Sequence, residues 1–295
     1  MTDKTHKPIN PAKRLTIFVL FCLFLILLIL AFIWIKWEPR EEEPVVSPPI
    51  APVETEALEP LEGYGGFYYY AGKPKAISYP NRLQVLTNIG YVVAYDNERK
   101  NPAWVCYRLF RMDNIKSPPR PKGFRIDRRT IAKVSSGDYT GSTYDRGHCA
   151  PNRGIAICYG IEAQLETFYM SNILPQKPAL NQQVWESLES MEIIEYAQRY
   201  GMVWVITGPV YGATINRLNS GVEIPQACFK IIAREDKGAV KVVAFIIPQD
   251  VKGSEKPSEF LYRVDDIETE TGLDFMSELP DDLESRVEAE KAGLW

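Results

Sequence analysis

The best candidate for proton transfer in this sequence is His148, which ends the segment YDRGH at residues 144–148. Its imidazole, with an ordinary pKa of about 6.5, can accept a proton from water near neutral pH. Arg146 carries a planar guanidinium that matches the oxygens of a phosphate group, and Gly147 lets the backbone approach a neighbour closely. The segment therefore indicates a general base beside an anion site. The alternative, common for a single histidine, is a purely structural side chain.

A second group of polar residues follows in the segments SNILPQ (171–176) and LNQ (180–182), with Trp185 and Glu189 further along. Asn181 falls at the predicted start of a helix, where an asparagine commonly caps the N-terminus. The alternative role for its amide oxygen is to bind Mg²⁺, an ion that keeps most of its waters and needs few protein ligands. Glu189 lies two turns further on, and it either orients a water molecule on that ion or is a solvated surface residue.

The formal charge of −4 is distributed unevenly along the 295 residues. The segments 38–62 and 264–295 are strongly acidic, whereas 99–153 contains thirteen Lys or Arg residues against four Asp. This local positive charge predicts a polyanion such as nucleic acid as the partner, despite a sequence pI of about 5.5. The hydrophobic content of 45% excludes a wholly disordered chain.

An uncharged apolar run begins at residue 15 and is long enough, at ~1.5 Å per residue, to span a ~30 Å hydrocarbon layer. The run ends at Lys36 and Trp37, which is typical of a membrane interface. Residues 15–37 are therefore predicted to be a retained transmembrane anchor. The alternative is a cleaved signal peptide, whose apolar core is normally shorter.

The residues that flank the apolar run predict its orientation. Lys13 and Arg14 precede it and glutamates follow it, which places the tail 1–14 in the cytoplasm and the remainder outside. The segment 38–62 contains six prolines among glutamates and predicts an extended linker without a core. One globular domain is predicted over 63–295.

The globular part is predicted to be α+β, because several non-adjacent strands are separated by helices. The strand patterns cover 91–95, 103–109 and 203–207, and a hairpin pairs 229–233 with 240–247 across a loop at 235–238. The helix patterns cover 181–200, a shorter stretch at 161–167, and the C-terminal segments 258–261 and 281–291.

The cysteines and histidines exclude the common structural zinc sites. The chain has two histidines and five cysteines, without a Cys-x-x-Cys pair. Four of the cysteines lie in the predicted globular domain: Cys106, Cys149, Cys158 and Cys228. They predict either disulfide bonds in an oxidising compartment or buried thiols within the core.

The motifs DRGH, SNILPQ, LNQ and W-x-x-x-E, in this order and spacing, resemble the DNA/RNA non-specific endonuclease family. The resemblance covers roughly 75–280. It implies a ββα-metal (His-Me finger) fold with a central antiparallel sheet. It also implies Mg²⁺ as the cofactor, with Mn²⁺ as a substitute.

The resemblance assigns a role to each of the polar residues. It implies that His148 is the general base, that Asn181 is the sole direct protein ligand of Mg²⁺, and that Glu189 orients a metal-bound water. Arg146 and Asn172 correspond to residues that support the phosphate and the geometry of the site. The family also uses an upstream arginine, for which Arg125 is the candidate and Arg128 the rival.

The function implied is a membrane-anchored, Mg²⁺-dependent endonuclease that cleaves DNA, RNA or both and leaves 5′-phosphate ends. The alternative is a catalytically silent nucleic-acid-binding membrane protein on the same fold. The predicted location of the domain is the periplasm or the cell surface, with the mitochondrial intermembrane space as the alternative. The oligomeric state is left open, with a homodimer as one option.

Overall fold

The structure, a computed structural model, describes residues 63–295. The predicted tail 1–14, membrane anchor 15–37 and linker 38–62 lie outside the described residues. Among residues 63–295, no helix combines the length and the apolar composition needed to cross a bilayer.

The domain is a mixed α and β fold built on a seven-stranded antiparallel sheet, with the strand order β12-β11-β10-β7-β4-β3-β2. Three two-stranded ladders, β1-β13, β5-β6 and β8-β9, accompany it. The strands are β1 (Lys75–Ala76), β2 (Leu83–Thr87), β3 (Tyr91–Asp96), β4 (Asn101–Phe110), β5 (Asp145–His148), β6 (Ile173–Gln176), β7 (Met202–Val210), β8 (Asn216–Arg217), β9 (Glu223–Ile224), β10 (Ala227–Asp236), β11 (Ala239–Pro248), β12 (Leu261–Tyr262) and β13 (Leu273–Asp274).

Four helices accompany the strands within the described chain. They are α1 (Asn152–Glu166), α2 (180–200), α3 (Val264–Thr271) and α4 (Asp281–Glu288). Helix α2 joins two π-helical stretches, Leu180–Trp185 and Met191–Tyr196, to α-helical segments at Glu186–Ser190 and Ala197–Tyr200. Short 3₁₀ turns occur at Ser136–Tyr139, Met170–Asn172 and Pro257–Phe260.

The inner strands are buried along nearly their whole length because both faces of the sheet are covered. Alternate residues point to opposite sides of a strand, so Val105 packs into one core while its neighbour Trp104 packs into the other. The first core contains residues of α1 and α2, such as Ile155 and Leu188, and the second contains Ile267 of α3. Helices α1 and α2 therefore lie on the face opposite to α3 and α4.

The structure confirms the predicted central strands and the long helix, and it corrects the ends of other elements. The β10–β11 hairpin turns at Lys237 and Gly238 alone, because Asp236 still pairs with Ala239. Both turn residues have positive φ, 52° and 82°, as a tight two-residue turn requires. The helix expected at 161–167 starts much earlier, at Asn152, and is kinked at Gly160.

The C-terminal helix predictions hold in part. The segment 258–261 is a 3₁₀ turn, Pro257–Phe260, rather than an α-helix, and the helix expected at 281–291 ends at Glu288. Helix α3, Val264–Thr271, was not anticipated from the sequence.

The four cysteines of the described chain are all buried free thiols: Cys106, Cys149, Cys158 and Cys228. Burial raises the pKa of Cys158 to about 11 and that of Cys228 to about 12. These thiols are therefore protonated near neutral pH, as expected for packing residues rather than reactive ones. Of the two sequence-based alternatives, the structure contains buried thiols and not disulfides.

Candidate active site

The segment DRGH forms strand β5, which pairs antiparallel with β6 so that His148 lies opposite Ile173. Gly147 leaves room for the buried Gln176 side chain, because a Cβ atom at its position would lie 1.9 Å from the Gln176 Oε1 atom. Helix α2 begins four residues after β6 ends at Gln176. Two strands and a helix thus place the two groups of polar residues side by side.

His148 is held firmly and is only 7% exposed. Its ring packs against Phe168 and Phe124, with centroid distances of 5.0 and 5.4 Å. The Trp185 indole Nε1–H donates a hydrogen bond of 3.3 Å to the His148 carbonyl oxygen. The His148 Nε2 atom is buried without a hydrogen-bond partner among residues 63–295.

The environment of His148 keeps its imidazole neutral. Burial, and secondarily the positive charge of Arg120, lower the pKa of His148 to about 3. Near pH 7 the ring therefore carries no charge, which is the protonation state that a general base requires, but the low pKa also makes it a weaker proton acceptor than a solvated imidazole.

Asn172 is fully buried and bonds to the chain that follows His148. The Asn172 Oδ1 atom accepts the Ala150 N–H at 2.9 Å, and its Nδ2 donates to the carbonyl oxygens of Ala150 and Thr167 at 3.0 Å each. The backbone N–H of Cys149 also donates to the Asn172 carbonyl oxygen, at 2.9 Å. Asn172 therefore holds the backbone, and it is not among the residues that line the cleft in front of β5 and α2.

A cleft of about 630 Å³ lies in front of β5 and α2. Its lining includes His148 and Arg146 from β5, Asn181 and Glu189 from α2, and Arg120 from the irregular segment that follows β4. The structure therefore brings together four of the six site residues that the sequence suggested.

Asn181 lies within the helix rather than at its cap. Its backbone N–H donates to the Lys177 carbonyl oxygen at 2.9 Å, an i to i−4 bond. The N-cap alternative is therefore wrong. The side-chain Nδ2 donates to Asp145 Oδ2 at 3.0 Å, and the adjacent Gln182 donates to the same oxygen at 2.7 Å. Within residues 63–295 the Asn181 Oδ1 atom accepts no hydrogen bond, which leaves it available to a ligand in the cleft.

Glu189 lies partly buried on the same side of α2 as Asn181. Burial raises the pKa of Glu189 to about 8, although the positive charge of Lys230 opposes this shift. Lys230 is itself fully buried and paired with Glu192. Because an unpaired buried carboxylate is unfavourable, a cation in the cleft would stabilise the ionised form of Glu189.

The arginines divide into those that line the cleft and those that do not. The Arg146 guanidinium donates to the Ser136 carbonyl oxygen and lies 5.4 Å from the centroid of the Tyr139 ring, so its direction is fixed. The exposed side chains of Arg125 and Arg128 are not among the residues that line the cleft. Arg120 does line the cleft, and its guanidinium stacks 5.2 Å from the centre of the Phe168 ring.

Sequence reasoning missed Arg120. The sequence indicated only that Arg120 belongs to the basic stretch 99–153, and it did not distinguish this residue from the other twelve Lys and Arg residues there. It lies between prolines, in the segment PPRP at 118–121, where no strand or helix period indicates a direction. Asp145 was also undervalued, since its carboxylate orients the Asn181 amide.

Comparison with known proteins assigns the class of this chain. A family model for DNA/RNA non-specific endonuclease matches residues 73–282. Together with the polar cleft, this match defines the protein as a phosphodiester-hydrolysing endonuclease. The chain belongs to the DNA/RNA non-specific endonuclease family.

Individual relatives agree with this assignment. The mitochondrial nuclease EXOG of Xenopus laevis is 30% identical over 254 residues, which cover 80% of this chain and 66% of that protein. A nuclease of Nostoc sp. is 27% identical over 73% of this chain and 81% of its own length. Human mitochondrial endonuclease G is 29% identical over 67% of this chain and 71% of its own length.

The fold has a counterpart among solved structures. The crystal structure of the EndoG/EndoGI complex superposes with a TM-score of 0.54 at 23% identity, covering 66% of this chain and 86% of the other. At this identity the superposition supports the mixed fold with its central antiparallel sheet.

Proposed function

We propose that this protein is a Mg²⁺-dependent endonuclease of the ββα-metal type that hydrolyses DNA and RNA without sequence preference. The observation that carries the proposal is that His148, Arg146, Asn181 and Glu189 all line the same cleft. A neutral base, a guanidinium and two oxygen-bearing side chains are the groups that phosphodiester hydrolysis requires.

His148 acts as the general base in this proposal. Its neutral imidazole takes a proton from a water molecule, and the resulting hydroxide attacks phosphorus in line with the leaving 3′-oxygen. The Trp185 indole holds the His148 carbonyl oxygen, and Asn172 holds the backbone of Cys149 and Ala150 that follows it. Arg146 faces the same cleft and neutralises a phosphate oxygen.

The α2 residues fit a hard divalent ion. The Asn181 Oδ1 atom accepts no intramolecular hydrogen bond, and Glu189 lies two turns along the helix in the same cleft. Oxygen donors of this kind suit Mg²⁺, or Mn²⁺ in its place. Bound there, the ion would supply Lewis-acid stabilisation of the charge that develops at phosphorus. Asp145 fixes the orientation of the Asn181 amide, and Glu189 orients water beside it.

We assign the upstream arginine role to Arg120 in place of Arg125 or Arg128. Only Arg120 of these three lines the cleft, and its charge is close enough to His148 and Glu189 to influence the pKa of both. A guanidinium fixed on an aromatic ring costs little reorganisation when charge develops on a phosphate.

Arg120 and Arg125 make a matched pair for kinetic measurements. Arg120→Ala is expected to lower kcat by about 10²-fold, the lower end of the range for loss of a group that stabilises transition-state charge. Arg125→Ala is expected to leave kcat close to wild type, to raise KM, and to reduce the salt dependence of binding by about one phosphate contact. Equal kcat losses in the two variants would contradict the assignment.

Substrate is held mainly through its phosphates in this proposal. Arg120 and Arg153 line the cleft. The irregular segment that carries Arg120 also has further exposed basic side chains: Lys116, Lys122, Arg125 and Arg128. Backbone contacts of this kind carry no sequence information, and hydrolysis by this route needs no 2′-hydroxyl. Both DNA and RNA are therefore expected substrates.

A digestion assay separates the active enzyme from a silent nucleic-acid-binding protein. The purified full chain is incubated with supercoiled plasmid and with a single-stranded RNA, in Mg²⁺ or in EDTA. Cleavage of both in Mg²⁺ alone is the expected result. Binding without cleavage under every divalent ion tested would support the silent alternative.

We also propose that residues 15–37 anchor the protein, with the tail 1–14 in the cytoplasm or its organellar equivalent and the domain on the opposite side. The proposal rests on the length of the apolar run and on the charges that flank it. The Xenopus and human relatives are named as mitochondrial, which keeps the intermembrane space beside the periplasm or cell surface as a location.

The topology predicts the behaviour of reporter fusions. A reporter that is active only outside the cytoplasm, fused after Trp295 and expressed in a bacterial host, is expected to be active. The same fusion lacking residues 1–37 is expected to be inactive and to leave the membrane fraction. Activity of a strictly cytoplasmic reporter on the full chain would reverse the orientation.

A further inference from the structure

Three carboxylates meet on the side of the sheet opposite to the cleft. Asp265 and Glu268 lie on α3, and Glu288 is the last residue of α4. One oxygen from each lies within 4.8 Å of the other two. The three side chains therefore meet where the two helices that cover this face of the sheet approach each other.

No protein cation of the described chain forms an ion pair with this group, although Arg263 lies near enough to interact with Asp265. Within residues 63–295 no Lys, Arg or His nitrogen lies within 4.0 Å of a carboxylate oxygen of the three residues. Glu268 accepts one backbone bond, from the Phe275 N–H at 2.8 Å. Two more carboxylates, Asp274 and Glu284, add negative charge from nearby.

Glu288 shows most clearly that the group lacks a partner. The side chain is 6% exposed, and its Oε1 atom is buried with no hydrogen-bond donor among the described residues. Burial, followed by the neighbouring carboxylates, raises the pKa of Glu288 to about 9 and that of Glu268 to about 7. A buried carboxylate is unfavourable unless a proton or a cation compensates it.

We propose that Asp265, Glu268 and Glu288 bind a Ca²⁺ ion that ties α3 to α4, separately from the ion used in catalysis. The oxygen separations fit around one ion, because Ca²⁺–O distances of ~2.3–2.6 Å allow ligand oxygens up to about 5 Å apart. Three carboxylates favour Ca²⁺ over Mg²⁺, which usually binds one or two and keeps its remaining waters. The buried Glu288 carboxylate, whose Oε1 atom has no hydrogen-bond donor among the described residues, would supply one of the three ligands.

The site is expected to act on stability and not on the chemistry of the cleft, because it lies across the sheet from His148. The alternative is that the three carboxylates share protons and bind no metal. The two possibilities make opposite predictions for Glu288→Gln. If the cluster binds Ca²⁺, the substitution removes a ligand charge and weakens the stabilisation by Ca²⁺. If the cluster only shares protons, the substitution relieves repulsion and stabilises the protein.

Thermal unfolding of the full chain tests the proposal. Protein stripped with a chelator is transferred to pH 8 and titrated with Ca²⁺ or with Mg²⁺. At about 100 times Kd, Ca²⁺ is expected to raise Tm by about 5–10 °C in the wild type, and Mg²⁺ by much less. Asn181→Ala, which alters only the catalytic cleft, is expected to keep the Ca²⁺ shift, as is the matched surface variant Glu290→Gln. Glu288→Gln is expected to lose it.

Two results would overturn the calcium site. One is an equal Ca²⁺ shift in wild type and Glu288→Gln. The other is a wild type whose Tm does not respond to Ca²⁺, and a Glu288→Gln protein more stable than wild type at pH 8 would then identify a cluster that only shares protons. If Glu288→Gln does not fold, the partly exposed Asp265→Asn replaces it in the same comparison. Calorimetric titration of Asn181→Ala with Ca²⁺ is expected to give one site per chain.

Discussion

Replacing His148 by alanine is expected to slow phosphodiester cleavage by about 10²–10⁴-fold, the usual scale for loss of a general base. Binding of the substrate should be almost unchanged, because the proposed mechanism assigns the phosphate contacts to the surrounding arginines. The measurements are the rate of plasmid cleavage and the affinity for a short duplex in EDTA, on the same protein preparation. Cleavage at a rate close to wild type would remove His148 from the mechanism.

A second variant separates the catalytic role of His148 from its packing role. His148→Phe keeps an aromatic ring in contact with Phe124 and Phe168, where the imidazole now lies. The base assignment predicts a folded protein that is as slow as His148→Ala. A structural histidine predicts the reverse, with a loss of folded protein in His148→Ala and normal cleavage by His148→Phe. Circular dichroism and thermal unfolding provide the control for folding.

The lowered pKa of His148 also predicts the response of stability to acid. The folded-state pKa, about 3, lies below the unfolded value of ~6.5, so folding favours the neutral ring. This contribution is fully present above pH ~6.5 and is lost as the pH falls toward 3. The wild type is therefore expected to lose more stability than His148→Phe between pH 6.5 and 4, measured by urea unfolding.

Regular periodicity explains which parts of the fold could be predicted. The central strands are runs of β-branched and aromatic residues, such as YVVAY at 91–95, bounded by turns. Helix α2 places Val184 and Leu188 four residues apart, on one apolar face. These patterns arise from local sequence, so they survive in the folded chain.

Tertiary packing determined the parts that were missed, such as the first half of helix α1, of which only the end was predicted. Helix α1 begins after Pro151 and contains Gly154, which is a poor helix former. Gly154 instead allows the helix to pack closely on the sheet, because a Cβ atom at this position would lie 3.1 Å from the Leu109 side chain on β4. No local pattern could indicate that contact. The same holds for Arg120, whose place in the cleft depends on the path of an irregular segment between prolines.

The sequence predicted those site residues that lie within a recognisable motif. DRGH and LNQ supplied His148 and Asn181, but their order alone does not explain why they meet. The structure explains it through β5, β6 and α2, which bring the Asp145 carboxylate to the Asn181 amide. Asn172 shows the limit of the motif, because its buried amide holds backbone rather than substrate.

Asn181 is expected to determine the use of Mg²⁺, whereas Glu189 only adjusts it. Asn181→Ala removes the one direct protein oxygen in the proposed site, and Mg²⁺ exchanges its waters for protein ligands reluctantly. Added Mg²⁺ is therefore expected to restore little of the cleavage rate. Glu189→Gln acts through water, so a loss of ~10–100-fold that shrinks at high Mg²⁺ is expected. The measurement is a Mg²⁺ titration of the cleavage rate.

Gln182→Ala is the matched control for the hydrogen bond that Asn181 makes. Gln182 donates to the same Asp145 oxygen as Asn181 but is exposed on the helix surface. If Asn181 served only to hold Asp145, Gln182→Ala would share its defect. The metal-ligand assignment instead predicts a nearly normal Mg²⁺ midpoint for Gln182→Ala.

The pH dependence of the Mg²⁺ midpoint tests Glu189 directly. Because its pKa is raised to about 8, the free enzyme holds a proton on Glu189 at pH 7. A divalent cation favours the ionised carboxylate, so metal and proton compete. The midpoint is expected to fall as the pH rises from 6.5 to 8.5 in the wild type, and much less in Glu189→Gln. A midpoint with the same pH dependence in both proteins would show that another group is responsible.

A folded Asn181→Ala protein with the wild-type rate and midpoint would exclude the metal site on α2.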